Sequence, residues 1–219
     1  MTRLAIIHTT TATVESLKSL AAEILPGVEL VNFVDDSILP QLAGNGGDVA
    51  AVAGRLVTYA RFASEAGADA VLEACSSVGA VVDEMRRAVP VPVIRIDEAM
   101  AEEAVRRGRR IGVAATLRTT LDPTARLLQQ KAAQVGDGVE IVPRLVEGAY
   151  ALLMAGDRQG HDACVADALA RLGAQCDVVV LAQASMARAV ANLPEEIRGK
   201  FLTSPESAMQ RVKRVLEGQ

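Results

Sequence analysis

Aromatic side chains are nearly missing from this chain: two Tyr, three Phe and no Trp among 219 residues. Exposed bases would find almost nothing to stack on. There is no basic excess either, since 23 Lys and Arg face 27 Asp and Glu for a net charge of −4. That balance offers no electrostatic footprint for a phosphate backbone or an anionic lipid surface. Histidine is scarce, with two residues, and the three cysteines (Cys75, Cys164, Cys176) show neither CxxC nor zinc-type spacing. The expectation is reduced thiols and no metal site. No apolar run approaches the ~18 residues of a membrane span. The apolar stretch near Met1 is too short for a signal peptide. The absences together describe a cytoplasmic chain that meets neither nucleic acid nor membrane.

What is present is globular: hydrophobic residues are 50% and charged residues 23%, enough for a core in one large domain or two small ones. Short apolar runs alternate with helical patterns. Strands are predicted at 4–8, 28–34, 69–73, 91–96, 110–114, 139–142, 177–182 and 200–202. Helices are predicted near 12–25, 48–66, 78–89, 97–108, 119–135, 147–173 with a break at Gly156, and 185–191. Continuous apolar strands alternating with helices imply parallel sheets covered on both faces, an α/β protein. A weak internal repeat divides it. Ala5-Ile-Ile-His-Thr9 answers Gly112-Val-Ala-Ala-Thr116, and Asp69–Ser77 answers Asp177–Ser185 at nearly the same offset. We therefore expect two pseudo-symmetric lobes, 1–96 plus 199–219 and 97–198, with an active site in the cleft between them. The segment from Ser204 and Pro205 starts like a capped helix that returns to lobe one.

In open α/β sheets ligands bind beyond the carboxyl ends of strands, so the residues just after each strand carry the functional expectations. Cys75 ends the third strand ahead of Ser76, Ser77 and a helical pattern, a helix amino terminus that favours a thiolate and can cradle a carboxylate. A cysteine there can equally be a small buried hydrophobe. Thr9 and Thr10 follow the first strand, and Thr116 and Thr119 follow the fifth; hydroxyl tracts of this kind bind anions or cap the next helix. His8 reads as an acid/base or as a packed strand-end residue. Arg118 reads as a carboxylate partner or as a solvated cation. The glycine-rich run Gly44-Asn-Gly-Gly-Asp48 lacks the order of a dinucleotide loop; it reads as a lid or hinge, or as a connection in which Asp48 caps the next helix. Cys164, Cys176 and His161 read as structural.

With Glu73-Ala-Cys75-Ser-Ser77, the first-strand hydroxyl tract and Ile111-Gly-Val-Ala-Ala-Thr116, the chain resembles the aspartate/glutamate/hydantoin racemase superfamily over nearly its whole length. In that family two cysteines move protons at the carbon next to a carboxylate, without pyridoxal phosphate or metal. The resemblance implies Cys75 as the first of them, Ser76 and Ser77 as carboxylate binders, and Thr9, Thr10 and Thr116 in further anion-binding loops. Where the family usually reads Gly-Cys-Thr-His, this chain has Ala182-Gln183-Ala184-Ser185. Gln183 hydrogen-bonds but is no acid or base near neutral pH. Cys176 lies at the other end of that strand, roughly 20 Å away at ~3.3 Å per residue.

The resemblance thus implies a cofactor-independent isomerase of racemase or epimerase type. Its catalytic residues are Cys75 and Gln183, and its substrate-binding residues are Thr9, Thr10, Ser76, Ser77, Thr116, Thr119 and Ser185. One alternative is a decarboxylase of malonate-like or β-keto acids in which Cys75 donates the proton, as single-cysteine arylmalonate decarboxylases suggest. Another is a non-catalytic binder of small carboxylates. The few aromatics point to a small aliphatic or polar acid as partner. If the chain assembles with itself, a dimer is the commonest closed form.

Overall fold

The computed structural model describes residues 1–136 and 138–218. The chain divides into two compact units, 1–97 with 205–219, and 98–204. Each is built around a four-stranded parallel sheet.

Unit one runs β1 (Arg3–His8), α1 (Val14–Ile24), β2 (Glu29–Val34), α2 (Ile38–Gly44), α3 (Ala50–Glu65), β3 (Ala70–Glu73), α4 (Val82–Ala88) and β4 (Val93–Arg95). Its strand order is β2-β1-β3-β4. The central strands read as unbroken apolar runs because both faces are covered. Ala5, Ile7 and Val71 pack toward α3 and α4 with Val52, Leu56, Ala60, Val82 and Met85. Leu4, Ile6, Ala70 and Leu72 pack toward α1 with Leu17 and Ala21, and toward the last helix with Ala208, Met209 and Val212.

Unit two runs α5 (Glu98–Arg107), β5 (Arg110–Ala115), α6 (Arg118–Val135), β6 (Glu140–Leu145), α7 (Ala149–Met154), α8 (Arg158–Gln175), β7 (Val178–Leu181), α9 (Glu195–Arg198) and β8 (Phe201–Thr203). Its strand order, β6-β5-β7-β8, repeats that of unit one. Ile111, Val113, Val178 and Val180 pack with Met100, Ala104 and Leu128. Val179 and Leu181 pack with Val165, Leu169 and Leu172 on α8. A Cβ on Gly112 would stand 2.7 Å from Leu172 Cγ, so glycine lets α8 lie against β5. The predicted break at Gly156 is a left-handed residue (φ 81°) between α7 and α8. Asp157 then caps α8, its carboxylate accepting from Gly160 N at 2.8 Å. The chain re-enters unit one at Pro205, later than residue 199, because β8 pairs with β7. The last helix, α10 (Ser204–Leu216), begins at Ser204 itself with Pro205 in its first turn.

All eight predicted strands are present. Two short helices, α2 and α9, lie where no helix was predicted, and residues 184–192 form a 3-10 rather than an α-helical segment. The run 44–48 is a hydrogen-bonded turn: Asn45 Oδ1 accepts from the Gly47 and Asp48 amides at 3.1 and 3.0 Å. Asp48 accepts from Ala50 N at 3.0 Å, at the start of α3. No described helix is long and apolar enough to cross a membrane.

Candidate active site

In both sheets the strand order reverses between the two central strands, and the crevice at such a switch point is where α/β sheets bind ligands. In unit one those strands are β1 and β3, whose register sets Ile7 opposite Glu73. Ala74 N donates to Ile7 O at 2.9 Å, which brings the residues just beyond, Thr9 and Cys75, to the same edge. Cys75 is half-buried. The Ser77 amide and hydroxyl and the Thr9 hydroxyl all favour its thiolate, but burial and the neighbouring Glu73 outweigh them and push the thiol up to about 11. This reverses the expectation of a thiolate favoured at a helix amino terminus. The helix after Cys75 starts as a 3-10 segment of 6 residues, Ser76–Val81, and only then becomes α4. A stretch that short has few aligned peptide dipoles to set against burial.

Thr9 is buried, and its Oγ1 has no well-formed hydrogen bond; the group it faces is the Cys75 thiol. Ser76 is buried as the first residue of the 3-10 segment. Thr10 caps the first turn after β1, accepting from Ala12 N at 3.3 Å. His8 is a packed histidine. Its Nδ1 meets Thr13 Oγ1 and its Nε2 meets Asn32 Oδ1, each at 2.9 Å. Burial lowers its pKa against the raising effect of Asn32. Both ring nitrogens are thus engaged by neighbouring side chains.

Unit two repeats the arrangement with different chemistry. Ala182 N donates to Ala114 O at 2.9 Å, which brings Thr116 beside Gln183. Gln183 Oε1 accepts from both the Thr116 amide (2.6 Å) and the Thr116 hydroxyl (2.9 Å). With its oxygen held, the amide presents N–H donors and nothing that takes up a proton. Thr119 and Arg118 are exposed in the first turn of α6, and Ser185 is half-buried in the 3-10 segment Ala184–Asn192. Thr9, Cys75 and Ser77 thus converge in one unit, and Thr116 and Gln183 in the other.

Sequence reading missed the acids beneath the thiol. Glu73 is fully buried; its Oε1 accepts the Cys75 N–H at 2.8 Å and its Oε2 has no partner. Burial, then Asp97, holds its carboxyl well above the usual range, against the opposing pull of the Cys75 amide and Arg95. Asp97, also fully buried, pairs with Arg95 through Nε–Oδ1 at 2.5 Å and Nη2–Oδ2 at 2.9 Å. The signal was present: an acid inside a strand buried on both faces has no water, so it needs partners nearby. Among the described residues no cluster of ≥ 3 His, Cys, Asp and Glu could hold a metal ion.

No curated protein sequence matches the chain. Solved structures of similar fold include an allantoin racemase from Klebsiella pneumoniae, at TM-score 0.73 and 20% identity over 99% of this chain and 88% of that one. A glutamate racemase from Bacillus anthracis aligns at TM-score 0.77 and 15% identity over 99% and 82%. An arylmalonate decarboxylase aligns at 0.64 and 14% over 98% and 92%. The family model for Asp/Glu/hydantoin racemase matches residues 4–212. The chain belongs to the Asp/Glu/hydantoin racemase family.

Proposed function

We propose that this chain moves a proton at the carbon alpha to a carboxylate of a small aliphatic or polar acid, as an isomerase of racemase or epimerase type, with Cys75 as its acid/base. The observation that supports this reading is the group around the thiol: at a sheet switch point, Cys75 has the Thr9 hydroxyl and the Ser77 amide and hydroxyl beside it. Those donors meet the charge of the thiolate; when it takes the α-proton, Cys75 becomes a neutral thiol and the negative charge passes to the substrate as an enediolate. The reverse transfer returns the S–H proton to carbon. Cys75 is the one acid/base in this reading, so inversion requires the intermediate to be reprotonated on its other face by water or after turning over. In this reading no cofactor or metal carries the reaction. The family match and the racemases of similar fold support this reaction class.

A second reading has its own support. Burial and the neighbouring Glu73 push the thiol up to about 11, which favours its protonated form near neutral pH. Cys75 is therefore poised to give a proton more than to take one. Loss of CO₂ from a malonate-like or β-keto acid leaves an enediolate that needs only a donor, and the arylmalonate decarboxylase of similar fold is named for such a reaction.

The test is proton NMR in D₂O on aspartate, glutamate, hydantoins, substituted malonates and hydroxy-acids. Deuterium entering the α position with inversion supports the isomerase. CO₂ loss with one deuterium incorporated replaces it with the decarboxylase. Binding without exchange overturns both in favour of a carboxylate-binding protein.

A further inference from the structure

Proton transfer by Cys75 leaves the buried Glu73 carboxyl beside it unused. Glu73 lies two residues before Cys75, opposite Arg95 in the β3–β4 register. One of its oxygens accepts the Cys75 amide at 2.8 Å, while the other is buried with no donor near enough to bond. Its neighbour Asp97 is fully buried and engages the Arg95 guanidinium through two nitrogens. Two fully buried carboxyl groups beside one guanidinium favour a single ionised carboxylate. Asp97 accepts two hydrogen bonds from the Arg95 guanidinium. An ionised Glu73 would leave a charged oxygen unmet in the core, the costly arrangement for a buried polar group.

We propose that Glu73 is the positioning residue of Cys75: a carboxylic acid that stays protonated at neutral pH, holds the Cys75 backbone through its N–H, and lets the thiol ionise without a second negative charge beside it. The inference deepens the assignment of Cys75 as the acid/base and rests on it for its consequence in turnover. Ionisation of either group opposes that of the other, so the two titrate as a coupled pair. The groups around the pair are Thr9 after β1, Ser77 in the 3-10 segment, and Arg95 and Asp97 at the end of β4. On α3, Arg55 and Tyr59 are bonded to Asp35 instead, and on α4 Arg86 is bonded to Asp83 and to Val93 O.

The test tracks alkylation of Cys75 by iodoacetamide from pH 6 to pH 11, resolved from Cys164 and Cys176 by peptide mass spectrometry, in the parent and in Glu73→Gln. Glutamine keeps an acceptor for the Cys75 amide but carries no charge. The expected result is coincident rates near neutral pH, where Glu73 is already neutral, and a faster variant in alkaline solution by about tenfold, the effect of one pKa unit. A faster variant at every pH means that Glu73 is ionised throughout and overturns the proposal. Superimposable profiles mean that Glu73 does not couple to the thiol and also overturn it. A second measurement needs no substitution: carbon NMR of the parent labelled at its glutamate carboxyls should show one group still titrating above pH 7, and its absence overturns the proposal. Neither readout uses turnover, so loss of the isomerase reading and loss of this one are separable.

Discussion

Gly79→Ala probes the packing under the thiol. A Cβ at Gly79 would stand 2.6 Å from Arg95 Nη2 and closer still to Nε and Cζ, whereas a comfortable carbon contact is about 3.5–4 Å. The guanidinium must retreat by about 1 Å, or the 3-10 segment must shift. A surface arginine would swing away at little cost, but Arg95 is only 11% exposed and its partner Asp97 is at 0%. If the guanidinium leaves, Asp97 is stranded without water, which costs about 3–5 kcal/mol. If the backbone yields, overpacking costs about 1–3 kcal/mol. Either is large against a total of about 5–15 kcal/mol. We predict a loss of about 3 kcal/mol in urea unfolding, read as a lower midpoint at unchanged slope. Thiol reactivity should change too, because Ser77 lies in the same segment. Adding Asp97→Asn should shrink the cost of Gly79→Ala, since no charge is then stranded. Gly54→Ala is the control: it lies exposed on α3 with open space at its Cβ, so it should stabilise by about 0.5–1 kcal/mol. A Gly79→Ala cost below about 1 kcal/mol would refute the reasoning.

Thr116→Val removes one of the two bonds to Gln183 Oε1 and leaves the amide bond in place; a loss of about 1 kcal/mol in urea unfolding is expected. His8 has a pKa lowered by burial from 6.5, so its stabilising contribution is complete above pH 6.5 and is lost as pH falls through the folded value. His8→Gln should flatten the stability–pH curve on that acid side. Glu73 has the opposite sign, with its pKa raised from 4.5 by burial first and Asp97 second. Its contribution is complete below pH 4.5 and is lost as pH rises through the folded value, so at pH 8 Glu73→Gln should be more stable than the parent.

The sheets were legible in the sequence because parallel strands buried on both faces must be apolar throughout, as in Asp177-Val-Val-Val-Leu-Ala182, and because the repeat marked two similar units. The helix α2 was not, since Ile38-Leu-Pro-Gln-Leu-Ala-Gly44 is a single short turn or two with Pro40 at its start, and its placement comes from Ile38 and Leu42 entering the core. Cys75, Thr9, Thr116 and Gln183 were legible from their addresses at strand ends. The protonation of Cys75 was not. It depends on Glu73, which in sequence is one acid closing an apolar run, and on Asp97 and Arg95, which reach it across a strand pairing that sequence spacing does not reveal.

The central claim is that Cys75 exchanges a proton with the α-carbon. Its most direct measurement is the rate of α-deuterium incorporation in D₂O, on whichever acid of the panel exchanges, for the parent against Cys75→Ala. The account predicts a fall of at least on the order of a hundredfold, with the fold and carboxylate binding retained. Exchange at an undiminished rate in Cys75→Ala would contradict it.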